Sequence, residues 1–196
     1  METNQKRISL ASLFGPHLQR KRGLVGTQFV YDQVSSDFLM QVPLLAIYLS
    51  ANWCPPCKGF LPFLNRFYIQ ANSEPDSNIQ QQKKKTEQVN MADQFTQDLQ
   101  PILEVVVVSM DSSKDQFEEH VNDIPKNWFV IPYGDERIKR IKETFDVIGI
   151  PQLIILDAKQ EKVLEINARK KVFEDSEGNG GNCLKEWIND IISNSL

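Results

Sequence analysis

Residues Ser50–Phe60 read SANWCPPCKGF. Two thiols lie three positions apart, with two prolines between them, a tryptophan in front and a lysine behind. A structural core has no use for a stiffened link between two cysteines; a reversible disulfide does. Just upstream, Pro43 introduces Leu44–Leu49, a near-continuous apolar run of the kind that forms a central strand covered on both faces. From Lys58 onward, Phe60, Leu61, Leu64, Phe67 and Tyr68 recur at helical spacing, with Pro62 inside the helix and a kink expected there. The order strand, loop, cysteine, helix places Cys54 at a helix N-terminus.

Unpaired backbone N–H groups and the helix dipole favour a thiolate at that point. The dipole alone contributes about 0.3–1 kcal/mol, less than one pKa unit, so a strongly activated thiol needs more. Cys57 can supply it by donating its S–H to the Cys54 thiolate, because one helical turn brings the two sulfurs together. Pro55 and Pro56 restrict that turn in both redox states. The chemistry then has two steps. Cys54, the exposed member, attacks a substrate disulfide, and Cys57, deeper in the helix, attacks Cys54 and releases reduced substrate. Trp53 shields one side of the pair and offers a flat apolar contact.

Two other readings compete. A tetrahedral zinc site would need further ligands, and His17, His120 and Cys183 are scattered without ligand spacing. Prolines at both intervening positions also remove N–H donors that commonly support metal-bound sulfur. Two buried, inert cysteines are the second reading, and the flanking Asn52, prolines and Lys58 make full burial awkward.

With 196 residues the chain can bury one sizeable core, and its net charge of −4 argues against a general nucleic-acid binder. The one basic knot, Gln19-Arg20-Lys21-Arg22-Gly23, reads as a solvated helix end. METNQKRISL lacks the apolar run of a secretory signal, and Leu44–Leu49 and Ile102–Val108 are far too short to cross a bilayer. Three cysteines, an odd number, do not form the framework of a small secreted domain. The expectation is a cytoplasmic protein, or one of the nucleus or another reducing compartment, with no nucleic-acid or membrane partner.

The remaining segments alternate. Ile8–Phe14 predicts a short helix stopped by Gly15-Pro16, and Thr27–Val34 a half-buried strand. Gln70–Gln100 reads as a mobile polar insertion followed by a helical piece around Val89, Met91, Phe95 and Leu99. Leu103–Ser109 (LEVVVVS) is the clearest strand. Asp111-Ser112-Ser113 is a cap signal for a helix over Phe117–Val121, Phe129–Ile131 a short extended piece, and Arg137–Phe145 an amphipathic helix. Leu153–Leu156 and Val163–Ile166 predict an antiparallel hairpin, and Cys183–Ile192 a closing helix. Strands alternating with helices and ending in a hairpin argue for an α/β sheet with helices on both faces.

On these residues the chain resembles the thioredoxin superfamily and, within it, the tryparedoxin and nucleoredoxin-like group. The likeness rests on Ile47–Phe60 (IYLSANWCPPCKGF), Glu104–Asp111 (EVVVVSMD) and Phe145–Pro151 (FDVIGIP), and it covers most of Ile8–Gly178. A bare CxxC would be weak; CPPC followed by a later GIP is strong. The resemblance implies a single thioredoxin-like domain over 1–196. Residues 1–43 are then an N-terminal helix and strand extension on the central mixed β-sheet, 70–100 the polar insertion and 183–194 the C-terminal helix. It implies a cis Ile150–Pro151 bond facing the cysteines, which leaves the Ile150 backbone free for an extended substrate and keeps metals off the thiols. Tyr48 occupies a strand position where many thioredoxins carry a buried acid, so no carboxylate base is assumed beneath Cys57. Arg169, in Ile166-Asn167-Ala168-Arg169, resembles an arginine that tryparedoxins use near the substrate surface; an exposed sheet-edge arginine is the plain alternative. The implied substrate surface is Trp53, Pro55, Pro56, Ile150, Pro151 and Arg169.

Departures bear on partners rather than on thiol chemistry. The aromatic and acidic pair that follows the equivalent strand in tryparedoxins is here Met110 and Ser112, and Gly178–Asn182 replaces the closing Pro-Trp segment. Trypanothione is therefore not carried over as reductant. Cys183 reads as a partly buried packing residue. The leading expectation is a protein-disulfide reductase that works through a Cys54–Cys57 dithiol/disulfide with no other cofactor and no metal. Its substrates would be protein disulfides, a peroxidase being one candidate, and a thiol donor or reductase would act upstream. The rival class is a thioredoxin-like interaction module docked through the insertion or the final helix. A thiol peroxidase ranks last, since no activating Thr and Arg cluster accompanies Cys54.

Overall fold

The computed structural model describes residues 7–26, 28–73, 101–176 and 182–193. At its centre are two strands whose every residue is buried, β3 (Leu44–Ser50) and β4 (Leu103–Ser109), paired in parallel with Ala46 opposite Val105 and Tyr48 opposite Val107. On the other side of β3 runs β6 (Gln152–Asp157), antiparallel, again buried throughout. With β1 (His17–Val25), β2 (Gln28–Ser35), β5 (Phe129–Val130) and β7 (Lys162–Glu165) these form a seven-stranded mixed sheet in the order β2-β1-β5-β4-β3-β6-β7.

Alternation along the central strands builds two cores. Leu44, Ala46, Tyr48, Leu103, Val105 and Val107 face a layer formed by α2 (Pro55–Ser73), α3 (Lys114–Asp123), α5 (Arg169–Ser176) and α6 (Cys183–Ser193). Leu45, Ile47, Leu49, Val106 and Val108 face α1 (Leu10–Phe14), α4 (Glu136–Thr144) and Leu39 of a 3-10 turn. The unbroken apolar runs LLAIYL (44–49) and VVVV (105–108) are thus explained: a strand covered on both faces has no polar side. Ser113 caps α3 by accepting from the Gln116 amide at 3.3 Å, as the sequence signals, and Gly15 ends α1 at φ 63°. Pro62 lies inside α2 without ending it. Among the described residues no helix is long and apolar enough to cross a membrane.

Three readings change. The polar insertion starts later than Gln70, because α2 continues through Ser73; the helical piece around Val89–Leu99 lies outside the described residues. A helix over Arg169–Ser176 follows the hairpin where none is predicted. The basic knot is not a helix end: Gln19–Arg22 belongs to β1, antiparallel to both β2 and β5. There Lys21 is only 7 % exposed and its ammonium donates to the carbonyls of Val121 (2.7 Å), Asn122 (3.0 Å) and Ile124 (3.2 Å) at the C-terminus of α3. The strand buries this cation because a helix end supplies the acceptors that water would otherwise provide. Its neighbour Arg20 lies over the Phe129 ring at 4.2 Å and pairs with Glu104 at 3.7 Å.

Glu104 is 3 % exposed, and its Oε2 has no hydrogen-bond partner among the described residues. Burial outweighs the Arg20 charge and pushes its carboxyl up from 4.5 to about 7. The folded state therefore holds this proton more tightly than the unfolded chain, and its contribution to stability is lost as pH rises from 4.5 to about 7. Glu104→Gln removes that loss. In urea unfolding, the stability of the variant relative to the wild type should rise between pH 5 and pH 8 by up to about 3 kcal/mol. The difference cancels every other titrating group; an offset constant with pH would contradict the assignment.

Candidate active site

Strand β3 ends at Ser50, and the chain passes through Ala51, Asn52 and Trp53 into Cys54, the residue before α2. Cys54 begins the helix: its carbonyl accepts from the Cys57 amide at 3.0 Å and the Lys58 amide at 3.1 Å. Pro55 and Pro56 occupy the first two helical positions, where neither has an N–H. The first amide N–H of the helix is therefore that of Cys57, and it is shared between the Cys54 carbonyl and Cys54 Sγ, 3.3 Å away. The double proline strips the helix start of competing donors and leaves one aimed at the sulfur. A disulfide joins Cys54 to Cys57, with Cα atoms 5.2 Å apart.

The pair is less open than the sequence suggests. Cys54 is 4 % exposed and Cys57 2 %, so Cys54 is the outer member by a narrow margin. With Ala51 they form a small buried cluster under Met110 and Ile150. Trp53, by contrast, is 55 % exposed, and Pro55 and Pro56 are exposed beside it.

The Ile150–Pro151 bond is cis, immediately before β6. Arg169 is the first residue of α5 rather than a sheet-edge residue, and its guanidinium donates to the Pro151 carbonyl at 3.2 Å while lying 5.7 Å from the Phe60 ring. An open groove of about 600 Å³ runs from Pro56 and Gly59 along Phe60 and Pro151 to Arg169 and Phe173. Ile148, just before the cis bond, is fully exposed at 102 %.

Tyr48, in the middle of β3, reaches the redox helix: its hydroxyl donates to the Cys57 carbonyl at 3.0 Å. Burial pushes this phenol well above its usual range. A second buried group escaped the sequence reading. Ser50 Oγ lies 2.8 Å from His120 Nε2, and His120 Nδ1 lies 3.1 Å from Asp111 Oδ2. The same carboxylate accepts from Ser109 Oγ at 2.7 Å and from the Asn52 amide at 2.8 Å, and Asn52 Nδ2 donates to Glu119 at 2.6 Å. The Asp111 carboxylate thus holds both the imidazole and the turn that carries Trp53 and Cys54. His120 attracted attention only as a scattered zinc candidate; what brings it to the site is α3 packing against the end of β3, which spacing does not reveal.

The other zinc candidates stand elsewhere. His17 is exposed at the start of β1, and Cys183 at the start of α6 is 3 % exposed. Its amide and Sγ both donate to Asp175, at 2.9 and 2.8 Å, and burial with that carboxylate pushes the thiol far up. Met110 packs on the cysteine cluster, and the Ser112 carbonyl accepts from the Tyr133 hydroxyl at 2.8 Å.

A dithiol at a helix start after a central strand, opposite a cis-proline that opens an antiparallel strand, defines a class of redox protein. A family model described as thioredoxin-like matches residues 43–163, and the chain belongs to this thioredoxin-like oxidoreductase family. Among curated proteins it is 31 % identical over 134 residues to tryparedoxin of Trypanosoma brucei brucei, covering 67 % of this chain and 73 % of that one. It is 32 % identical over 132 residues to nucleoredoxin of Xenopus laevis, but those residues span only 25 % of that protein and 67 % of this one. Among solved structures, native tryparedoxin I from Crithidia fasciculata superposes with a TM-score of 0.61 at 26 % identity, covering 87 % of this chain and 94 % of that chain.

The burial and carboxylate pairing of Cys183 carry a simple consequence. When the reduced native protein is treated with iodoacetamide at neutral pH, mass spectrometry should find label on Cys54 or Cys57 and none on Cys183 until the chain is unfolded. Labelling of Cys183 at a rate near that of free cysteine would contradict its placement.

Proposed function

We propose that the protein is a protein-disulfide reductase that works by mixed-disulfide exchange. The observation that supports it above all is the aimed amide at the helix start. The Cys57 N–H, the first one the two prolines leave available, points at Cys54 Sγ, so negative charge on that sulfur meets a fixed donor and the positive end of a helix. Cys54 is the nucleophile and Cys57 the resolving thiol.

In the first step the Cys54 thiolate attacks one sulfur of a substrate disulfide. A Cys54–substrate S–S bond forms, the substrate bond breaks, and the second substrate sulfur leaves as thiolate. In the second step Cys57, deprotonated, attacks Cys54 Sγ. The mixed disulfide breaks, the Cys54–Cys57 bond forms, and both substrate sulfurs depart reduced with two electrons gained. An upstream thiol donor or reductase returns the pair to the dithiol. No metal and no organic cofactor enters either step.

Substrate recognition follows from the surroundings of the pair. Exposed Trp53, Pro55 and Pro56 flank Cys54 along the chain, and Ile150, ahead of cis-Pro151, packs on the cysteines, so an extended substrate segment would reach the sulfur past these residues. Arg169 and Lys170 make the rim of the adjoining groove cationic above aromatic walls, which favours protein substrates with a carboxylate near the disulfide, a peroxidase being one candidate. The low charge of the chain as a whole gives no attraction for nucleic acid. We place the activity in the cytoplasm or another reducing compartment, where such a pair is kept as dithiol.

Reduction of insulin by the full-length protein with dithiothreitol tests this. The wild type should accelerate precipitation of the B chain, and Cys54→Ser should lower the rate at least about a hundredfold, to that of dithiothreitol alone. Arg169→Ala should raise KM several-fold with kcat little changed. A wild-type rate equal to the uncatalysed rate would overturn the reading.

A further inference from the structure

The Ser50, His120 and Asp111 side chains lie directly beneath the redox turn, and the two exchange steps above make no use of the imidazole. All three are shut off from solvent: Ser50 is fully buried, His120 is 6 % exposed and the Asp111 side chain is closed over. Hydrogen bonds tie the group together: Ser109 Oγ, the Asn52 amide and His120 Nδ1 converge on Asp111, and His120 Nε2 meets Ser50 Oγ. Ser50 follows Tyr48 by two positions on the same face of β3, and the Tyr48 hydroxyl donates to the Cys57 carbonyl.

We propose that His120 is a positioning residue for the dithiol, holding a proton whose presence is linked, through Ser50 and Tyr48, to whether Cys54 and Cys57 are bridged or reduced. The proposal rests on the reading of that pair as an exchanging dithiol and adds its proton coupling. The tautomer follows from the partners. A carboxylate only accepts, so Nδ1 carries a hydrogen toward Asp111, and in neutral imidazole Nε2 must accept from the Ser50 hydroxyl. Protonation reverses that bond. Nε2–H then donates to Ser50 Oγ, and the freed Ser50 hydroxyl can turn to the Tyr48 oxygen, which strengthens Tyr48 as a donor to the first turn of α2.

The charges around the ring make it responsive. Asp111 from the loop after β4 and Asp123 from α3 itself favour the imidazolium; Lys58, the residue after Cys57 on α2, opposes it, and burial opposes it most. Bridged cysteines carry no charge. Reduction places a thiolate near this group, which favours the imidazolium, and by reciprocity an imidazolium favours the thiolate. A proton on His120 would thus keep the dithiol reactive as pH falls.

The chain has two histidines, so the ring proton resonances in an NMR titration separate readily. The full-length protein is titrated once oxidised with diamide and once reduced with dithiothreitol, and no substrate is needed. The His120 midpoint should be higher in the reduced protein by about half a pH unit or more, roughly threefold in proton affinity. Ser50→Ala, which keeps the His120–Asp111 contact and cuts the link above it, should shrink that difference by at least about half. Equal His120 midpoints in the two redox states, no His120 titration in either, or an undiminished difference in Ser50→Ala each overturns the proposal. None of these readouts involves turnover, so they are independent of the insulin assay that tests the reductase reading.

Discussion

Everything in the site depends on where β3 ends. The strand is buried over its whole length, paired with β4 on one side and β6 on the other, and covered by helices on both faces. It can deliver chemistry only at its C-terminal tip, where Ser50 gives way to the Asn52–Trp53 turn. Two rigid contacts fix that turn. The Asn52 amide is held by Asp111 from the end of β4, and the next helix starts on Cys54, with its first N–H shared between the Cys54 carbonyl and the sulfur. The cis-proline at the start of β6 then lies opposite because β6 is the antiparallel neighbour of β3. Sheet topology, rather than local sequence, assembles cysteines, proline and arginine from three separated segments.

The two flanks of the dithiol differ in charge. On the α5 side, Arg169 and Lys170 border a groove with aromatic walls. On the α3 side, the groove between Asn52, Lys58 and the helix is lined by Asp115, Glu118, Glu119 and Asp123. A disulfide-bearing partner that approaches Cys54 therefore meets opposite fields to left and right, which constrains its orientation more than its affinity. The exposed apolar surface of Trp53 and Ile148 lies close to the approach path itself.

Much of this was legible in the residues. LLAIYL and LEVVVVS announce central strands because burial on both faces removes any need for polar alternation. WCPPC announces a dithiol because the two prolines stiffen the link between the thiols and remove the N–H donors that commonly support metal-bound sulfur. The Ser113 cap, the closing hairpin and the helix of the final segment were legible for equally local reasons. What escaped was non-local. Lys21 looked solvated in the string QRKRG, yet it is buried because the carbonyls at the end of α3 come to meet it from a hundred residues away. Arg169 was read near the substrate surface, but its helix and its bond to Pro151 were not foreseen, since RKKVFEDS has a weak apolar pattern. His120 stood out only as a scattered candidate for zinc: a lone histidine in EEHVND meets Ser50 and Asp111 only once the chain is folded.

In the proposed exchange Cys54 attacks first, and trapping reads that order directly. A peptide disulfide is mixed with reduced Cys57→Ser and, separately, with reduced Cys54→Ser, and intact masses are recorded over time. This order predicts that Cys57→Ser accumulates a covalent adduct on Cys54 that persists for want of a resolving thiol, while Cys54→Ser forms adduct at least about tenfold more slowly. Equal rates on the two variants, or faster adduct formation on Cys57, would contradict it.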